Sequence, residues 1–170
     1  MENKNQSVND MPAPMSDADV SLINKKISKL DNKTIDEILS LYDKYKVIII
    51  SLLTSLKNKV ELKKDEESLV DIEQVIRIAK FCPSDELFIR SKDKIWYARN
   101  YIMKKDAEWF INKNMDKNIK NDGKKAMIEN ILKSIKNQWK QFTQVEREEY
   151  WKFALQILRI VAEFKKLSKE

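Results

Sequence analysis

The side chains that could carry out acid–base or metal chemistry are few in this sequence of 170 residues. There is no His, so the chain offers neither an imidazole base nor a His metal ligand. Gly123 is the only Gly and Cys82 the only Cys, which leaves no Gly-rich phosphate loop and no Cys-x-x-Cys pair. We therefore predict a non-enzymatic protein with no catalytic residues, no cofactor and no bound metal.

Carboxylates are the remaining groups that could support catalysis. An acid–base pair needs two carboxylates that face one cleft, and a magnesium site needs acidic sets that converge from different elements. Most adjacent acidic pairs here fall near predicted helix starts, where they interact favourably with the helix dipole. We predict surface roles for these pairs and a structural role for the Cys82 thiol. The pairs are Asp36/Glu37, Glu66/Glu67, Asp85/Glu86 and Glu148/Glu149.

Lysines give the chain its net charge of +6. With 28 Lys and 5 Arg, the excess fits the codon bias of an AT-rich genome. Arg, the residue best suited to bidentate phosphate contacts, is scarce. A Lys-rich region at 104–140 could still bind nucleic acid non-specifically or contact a partner, and a gel shift at two salt concentrations tests this alternative. Its candidate contacts are Lys104, Lys105, Lys113, Lys117, Lys120, Lys124, Lys125 and Lys133.

The elements that carry these residues are predicted to be helices. One Gly and three Pro are too few for the turns of a β-sandwich or barrel, whereas 42% hydrophobic residues suffice for a core. Short connections between long helices favour antiparallel neighbours. We predict an all-α antiparallel bundle of about six helices, with a single domain over 17–170. The predicted helices cover about 17–30, 34–64, 66–81, 85–118, 124–142 and 144–167.

Helix boundaries are marked by capping residues and breakers. Capping boxes are predicted at Ser16 with Asp19, at Thr34 with Glu37 and at Thr143 with Glu146. Pro83 should end one helix at Cys82, because proline disfavours helix in the residue before it. The clearest turn in the chain is Asn121-Asp122-Gly123.

The second helix carries the most apolar stretch, VIIISLL at 47–53. Apolar residues there cover nearly every direction around the axis, a pattern typical of a helix that is buried on most sides. We therefore expect a largely buried second helix at the centre of the bundle. Interrupted by Ser51, the stretch falls well short of the roughly 20 residues that a membrane-spanning helix needs, so we predict no membrane span.

The densest aromatic block is KIWYARNYIMKKDAEWFINKN at 94–114, with Trp96, Arg99, Tyr101, Asp106 and Trp109. Over these twenty or so residues, and in its Lys/Asn/Ile bias, the chain resembles short helical proteins encoded by large AT-rich eukaryotic DNA viruses. The resemblance implies a viral or virus-like origin and assigns no role to individual positions. The helical spacing of Trp96 and Trp109 favours packing in a core over stacking on bases.

The first sixteen residues are predicted to form an extended arm. Residues 1–16 lack periodicity and hold two of the three prolines. They also lack the apolar core of a signal peptide, and one Cys fits a reducing compartment, so we expect a cytoplasmic or virion location. The arm is a candidate partner-binding segment, through Met11, Pro12, Pro14 and Met15.

These observations favour a structural or interaction protein, such as a minor capsid-associated virion component that binds neighbouring protein subunits. Nucleic-acid binding through the Lys-rich region is one alternative. Another is a host-modulating bundle that resembles the Bcl-2-like proteins, which also wrap amphipathic helices around an apolar central one. The Asn-Trp-Gly-Arg signature of the cellular members is missing from this chain.

Overall fold

The described part of the chain is helical. A computed structural model describes residues 12–13, 15–112, 133 and 135–170, and no strand occurs among them. Residues 135–139 are also helical. The all-α prediction is confirmed. The helices are α1 (Asp17–Ile27), α2 (Asn32–Leu62), α3 (Glu66–Phe81), α4 (Ser84–Tyr97), α5 (Arg99–Met103), α6 (Ala107–Asn112) and α7 (Gln144–Ser168).

Two of the three predicted capping boxes are confirmed. At α1 the Ser16 side chain accepts from the Asp19 amide while the Asp19 side chain accepts from the Ser16 amide, and Thr143 and Glu146 pair in the same way at α7. The box predicted at Thr34 is wrong. Asp31 caps α2 instead, because its carboxylate accepts from both the amide and the hydroxyl of Thr34.

The helix break predicted at Pro83 is confirmed, but the single helix predicted over 85–118 is wrong. Within the described residues, the chain interrupts that helix at Ala98 and again over 104–106. At the second interruption Lys105 takes a left-handed φ of 52°, and Asp106 accepts from the Trp109 amide to start the next helix. These breaks turn α5 and α6 onto the side of the bundle that α7 forms. The turn predicted at Gly123 lies outside the described residues.

Helix α2 lies between α3 on one side and α7 on the other. Lys57 of α2 is 3.4 Å from Glu73 of α3, and the Lys46 Nζ donates to the Lys80 carbonyl at 2.7 Å. On the opposite side, Ser55 donates to Glu149 of α7 at 3.0 Å. The Tyr42 ring of α2 also lies 6.0 Å from the Phe164 ring of α7. Against each neighbour the residue numbers rise on α2 as they fall on the other helix, so α3 and α7 both run antiparallel to α2.

Helix α4 closes the back of this three-helix layer. The Tyr45 hydroxyl of α2 lies 2.6 Å from the Ser91 hydroxyl of α4, and the fully buried Phe88 packs between α2 and α7. Helix α1 then packs on α4, where Asn24 donates to Asp85. The largest buried cluster, at the meeting of α1, α2, α4 and α7, includes Val20, Ile38, Leu41, Tyr42, Tyr45, Phe88, Ile89, Val161 and Phe164.

The central place of α2 is as predicted, but the burial of its apolar stretch is not. The most buried residues of α2 lie before and after 47–53 along the chain. Ile38 and Tyr42 precede this stretch, and Leu56 and Val60 follow it. Val47 itself is 63% exposed. The reason is that helices cover α2 on both sides and at the back, whereas no described residue covers its front.

No helix among the described residues has the length and apolar content to cross a bilayer. Of the predicted arm, the structure describes only Pro12, Ala13, Met15 and Ser16. The arm ends on α4, where the Arg90 guanidinium donates to the Met15 carbonyl at 2.9 Å and contacts the Asp17 carboxylate. Met15 packs against the main core cluster.

Lys64 closes α2 in a conformation that glycine adopts at lower cost. Its φ is 56°, while its amide donates to the Glu61 carbonyl and the next amide, of Asp65, donates to the Val60 carbonyl. This is the Schellman pattern, in which glycine usually holds the left-handed position. We predict that Lys64→Gly raises the free energy of unfolding by about 0.5–1 kcal/mol in urea denaturation. Lys64→Ala is the control, since alanine keeps the left-handed strain. An equal gain from alanine would show that conformation is not the cause.

Candidate functional site

The Lys-rich region is only partly within the described residues. Lys104 and Lys105 follow α5 and are exposed, as is Lys133. The Lys105 Nζ lies 2.7 Å from Glu148 of α7, so part of its charge is balanced within the chain. The other candidates lie outside the described residues and are Lys113, Lys117, Lys120, Lys124 and Lys125.

The aromatic rings of this region pack on one another. Tyr101 stacks on Trp109 with ring centroids 4.1 Å apart, and Trp109 meets Phe110 edge to face at 4.8 Å. The Phe110 ring also contacts the Trp151 ring, with centroids 6.0 Å apart, and Trp151 contacts Trp139 at 5.7 Å. Rings that are used in this way form a core rather than a free stacking platform, as the helical spacing predicts.

Two lysines at the C-terminal end of α2 contact the aromatic rings of the same cluster. The Lys59 Nζ lies 4.5 Å from the Tyr150 ring centre, and the Lys63 Nζ lies 5.4 Å from that of Phe142. Phe142 and Tyr150 stack in parallel, and Lys59 also contacts Glu149 at 3.3 Å. These cations hold 139–150 against α2 through cation–π and ionic contacts, so the charge of Lys59 is already balanced within the chain.

The acidic pairs and the thiol show no convergence on one cleft. Asp85 and Glu86 lie in the first turn of α4, and Glu66 and Glu67 in the first turn of α3, as predicted from the helix dipole. No group of three or more His, Cys, Asp or Glu that could hold a metal ion is found in the described ranges. Burial, and then the nearby Glu86 carboxylate, raise the pKa of the Cys82 thiol.

The arm residues divide between described and undescribed positions. Pro12 and Met15 are partly buried, and Met15 already contacts the core of its own chain. Met11 and Pro14 lie outside the described residues. Met15 therefore has a role within the fold, in addition to the partner contact predicted from its sequence.

The front of α2 is an exposed surface that combines one apolar residue with three uncharged polar residues. Val47, Ser51, Thr54 and Asn58 are exposed and follow one another at helical spacing, with no charged residue among them. Ser51 donates its hydroxyl to the Val47 carbonyl at 2.8 Å, and Thr54 donates to the Ile50 carbonyl at 2.7 Å. Because both hydroxyls are satisfied by their own helix, they can be covered without losing a hydrogen bond to water. We call these four residues the open face of α2.

A groove of about 750 Å³ runs beside the open face, between α2 and α7. Its apolar lining comes from Leu39, Val47 and Ile48 of α2 and from Ile160 of α7. Charged residues of both signs surround this lining, namely Asp36, Asp43 and Lys44 of α2 and Arg159 of α7. An apolar centre inside a polar border is the usual make-up of a protein-binding surface.

Helix α3 carries a second exposed apolar row, formed by Val70, Ile78 and Phe81. Phe81 is 87% exposed, but polar Gln74 and charged Arg77 interrupt the row. Neither the open face of α2 nor the exposed row of α3 was predicted from the sequence. The sequence held one signal for the surface on α2. Apolar residues point in nearly every direction around the axis at VIIISLL, whereas α3, α7 and α4 cover only three sides of the helix.

Comparisons with models of protein families, with curated proteins and with solved structures found no match.

The raised pKa of Cys82 predicts slow alkylation. A higher pKa leaves less thiolate at a given pH, so iodoacetamide at pH 8 should react about three to ten times more slowly with the folded chain than with the chain in urea. The pH of half-maximal rate should also be higher in the folded chain, which separates a pKa effect from restricted access. A folded chain that reacts faster than the denatured one would identify an activated cysteine and contradict the structural role.

Proposed function

We propose that this chain is a non-enzymatic interaction protein that binds a neighbouring protein subunit through the open face of α2. The observation that carries the proposal is the incomplete covering of the apolar stretch at 47–53. Its sequence has the composition of a buried helix, yet Val47 is 63% exposed and Ser51 is exposed beside it. Together with Leu39, which is 50% exposed, Val47 forms apolar surface that none of the described residues covers. Uncovered apolar surface of this kind is typical of a binding site.

The partner element that suits this surface is an amphipathic helix. The open face extends about 17 Å along α2 from Val47 to Asn58 at 1.5 Å per residue, which is about three helical turns. A helix laid along it can place apolar side chains at helical spacing into the groove beside Val47. Lys44 and Arg159 at the groove border would set its orientation through ion pairs.

The resemblance to helical proteins of large DNA viruses favours a virion or a similar assembly as the setting, with the chain as a minor structural component. Nucleic-acid binding and a Bcl-2-like role remain predictions from the sequence. The pairing of Lys105 with Glu148 and the packed tryptophans give the nucleic-acid alternative no added support.

Charged substitutions in the open face test the proposal. Val47→Lys and Thr54→Lys each replace an exposed residue, so the fold should be kept while a buried charge is placed in the interface. We expect each to weaken binding of the partner at least tenfold, a cost of about 1.4 kcal/mol or more. The partner is first identified by mass spectrometry of the complex that the tagged chain forms in its own cells, and affinity is then measured with purified proteins.

Phe81→Lys is the matched control, because it also replaces an exposed apolar residue by lysine but lies on α3. Binding by this variant should equal that of the unchanged chain. If Phe81→Lys abolishes binding while Val47→Lys and Thr54→Lys leave it intact, the binding surface lies on α3 and the proposal is wrong.

A further inference from the structure

Lys92 of α4 is the only charged side chain that is buried in the described part of the chain, with 3% of its surface exposed. Its Nζ lies 2.9 Å from Oδ1 of Asp93 and 3.2 Å from Oε1 of Glu170. The ring of Phe164 lies 5.8 Å away on another side. A buried ammonium group is tolerated only while acceptors and opposite charges compensate for the water it has lost.

Glu170 reaches this site because the chain turns sharply after α7. Lys169 has a left-handed φ of 58°, and the Glu170 amide donates to the Lys165 carbonyl at 3.0 Å. Lys165 also contacts the Glu170 carboxylate at 3.4 Å. The Lys92–Glu170 contact thus fastens the turn over 165–170 to α4.

The same turn forms one wall of a cleft between α1 and α7, with a volume of about 300 Å³. Ser168, Lys169 and Glu170 supply that wall. The apolar lining of the cleft is formed by Ile23, Ile27, Leu30 and Phe164. Displacement of the turn would therefore open the cleft and expose these apolar residues.

We propose that the Lys92–Glu170 ion pair is an acid-sensitive latch that holds the turn over 165–170 against α4. When the carboxylates around Lys92 take up protons, its ammonium group stays charged in a buried position without a counter-charge. Separation of the turn lets water reach that charge and so relieves the cost.

The other titratable groups near this pair do not oppose that direction. Burial raises the pKa of Tyr42, so its phenol stays neutral as the pH falls. The Thr34 amide lowers the pKa of Asp31, which delays its protonation on acidification. These groups are Lys26 of α1, Asp31 before α2, Tyr42 of α2, Asp85 of α4, and Lys165 and Lys169 at the end of α7.

Backbone order at 165–170 tests the latch. In ¹⁵N relaxation of the full chain at pH 7, the amide order parameters of this turn should be near 0.85 and should fall below about 0.6 for Glu170→Gln. That substitution breaks the Lys92–Glu170 ion pair at neutral pH and leaves the Asp93 contact within α4 in place, so the result does not depend on survival in acid. The unchanged chain should show the same loss on acidification. Circular dichroism should show that the helices remain.

Two variants separate the latch from general effects of charge. Lys92→Met removes the other half of the ion pair at similar volume, so the turn should lose order already at pH 7 and change little on acidification. Glu148→Gln breaks the exposed Lys105–Glu148 pair and should leave 165–170 unchanged, because exposed ion pairs contribute little. The proposal is overturned if either Glu170→Gln or Lys92→Met is as ordered as the unchanged chain at pH 7.

Discussion

Phe88 of α4 packs its ring against Tyr42 and Tyr45 of α2 and against Phe164 of α7, with centroid separations of 4.9–5.2 Å. Tilted and edge-to-face contacts of this kind are favourable beyond the area that they bury. They bring α2, α4 and α7 together at one point. The Tyr45–Ser91 hydrogen bond adds a polar contact there, and burial raises the pKa of Tyr45 to about 12, so its phenol remains neutral.

This packing determines which side of α2 is left uncovered. Because α4 is held behind α2, and α3 and α7 are held beside it, the described residues place nothing in front of Val47 and Ser51. Both ends of α2 are packed within the chain. Ile38 near the start of α2 lies in the main core cluster, and Leu56 and Val60 near its end are buried with residues of α3. The proposed binding surface is therefore the middle of a helix whose two ends are packed.

Local signals in the sequence predicted much of this fold. The Ser16 and Thr143 capping boxes and the break at Pro83 depend on neighbouring residues alone, and each is confirmed. Thr34 failed as a cap because the helix begins three residues earlier, where Asp31 accepts from both the amide and the hydroxyl of Thr34. The interruptions at Ala98 and Lys105 have no Gly or Pro to mark them. At the second, a lysine holds the left-handed position that glycine usually occupies. The sequence did not predict the open face of α2 for a different reason. Hydrophobic periodicity shows how many sides of a helix are apolar, but it does not show which of those sides other helices cover.

Carbene footprinting of the side chains of α2 tests the central claim most directly. The chain would be labelled once in isolation and once in the native complex recovered from the cells that make it. If the open face binds the partner, labelling at Val47, Ser51 and Thr54 should fall in the complex while labelling at Phe81 is unchanged. Equal labelling of the open face in both states, with protection elsewhere, would contradict it.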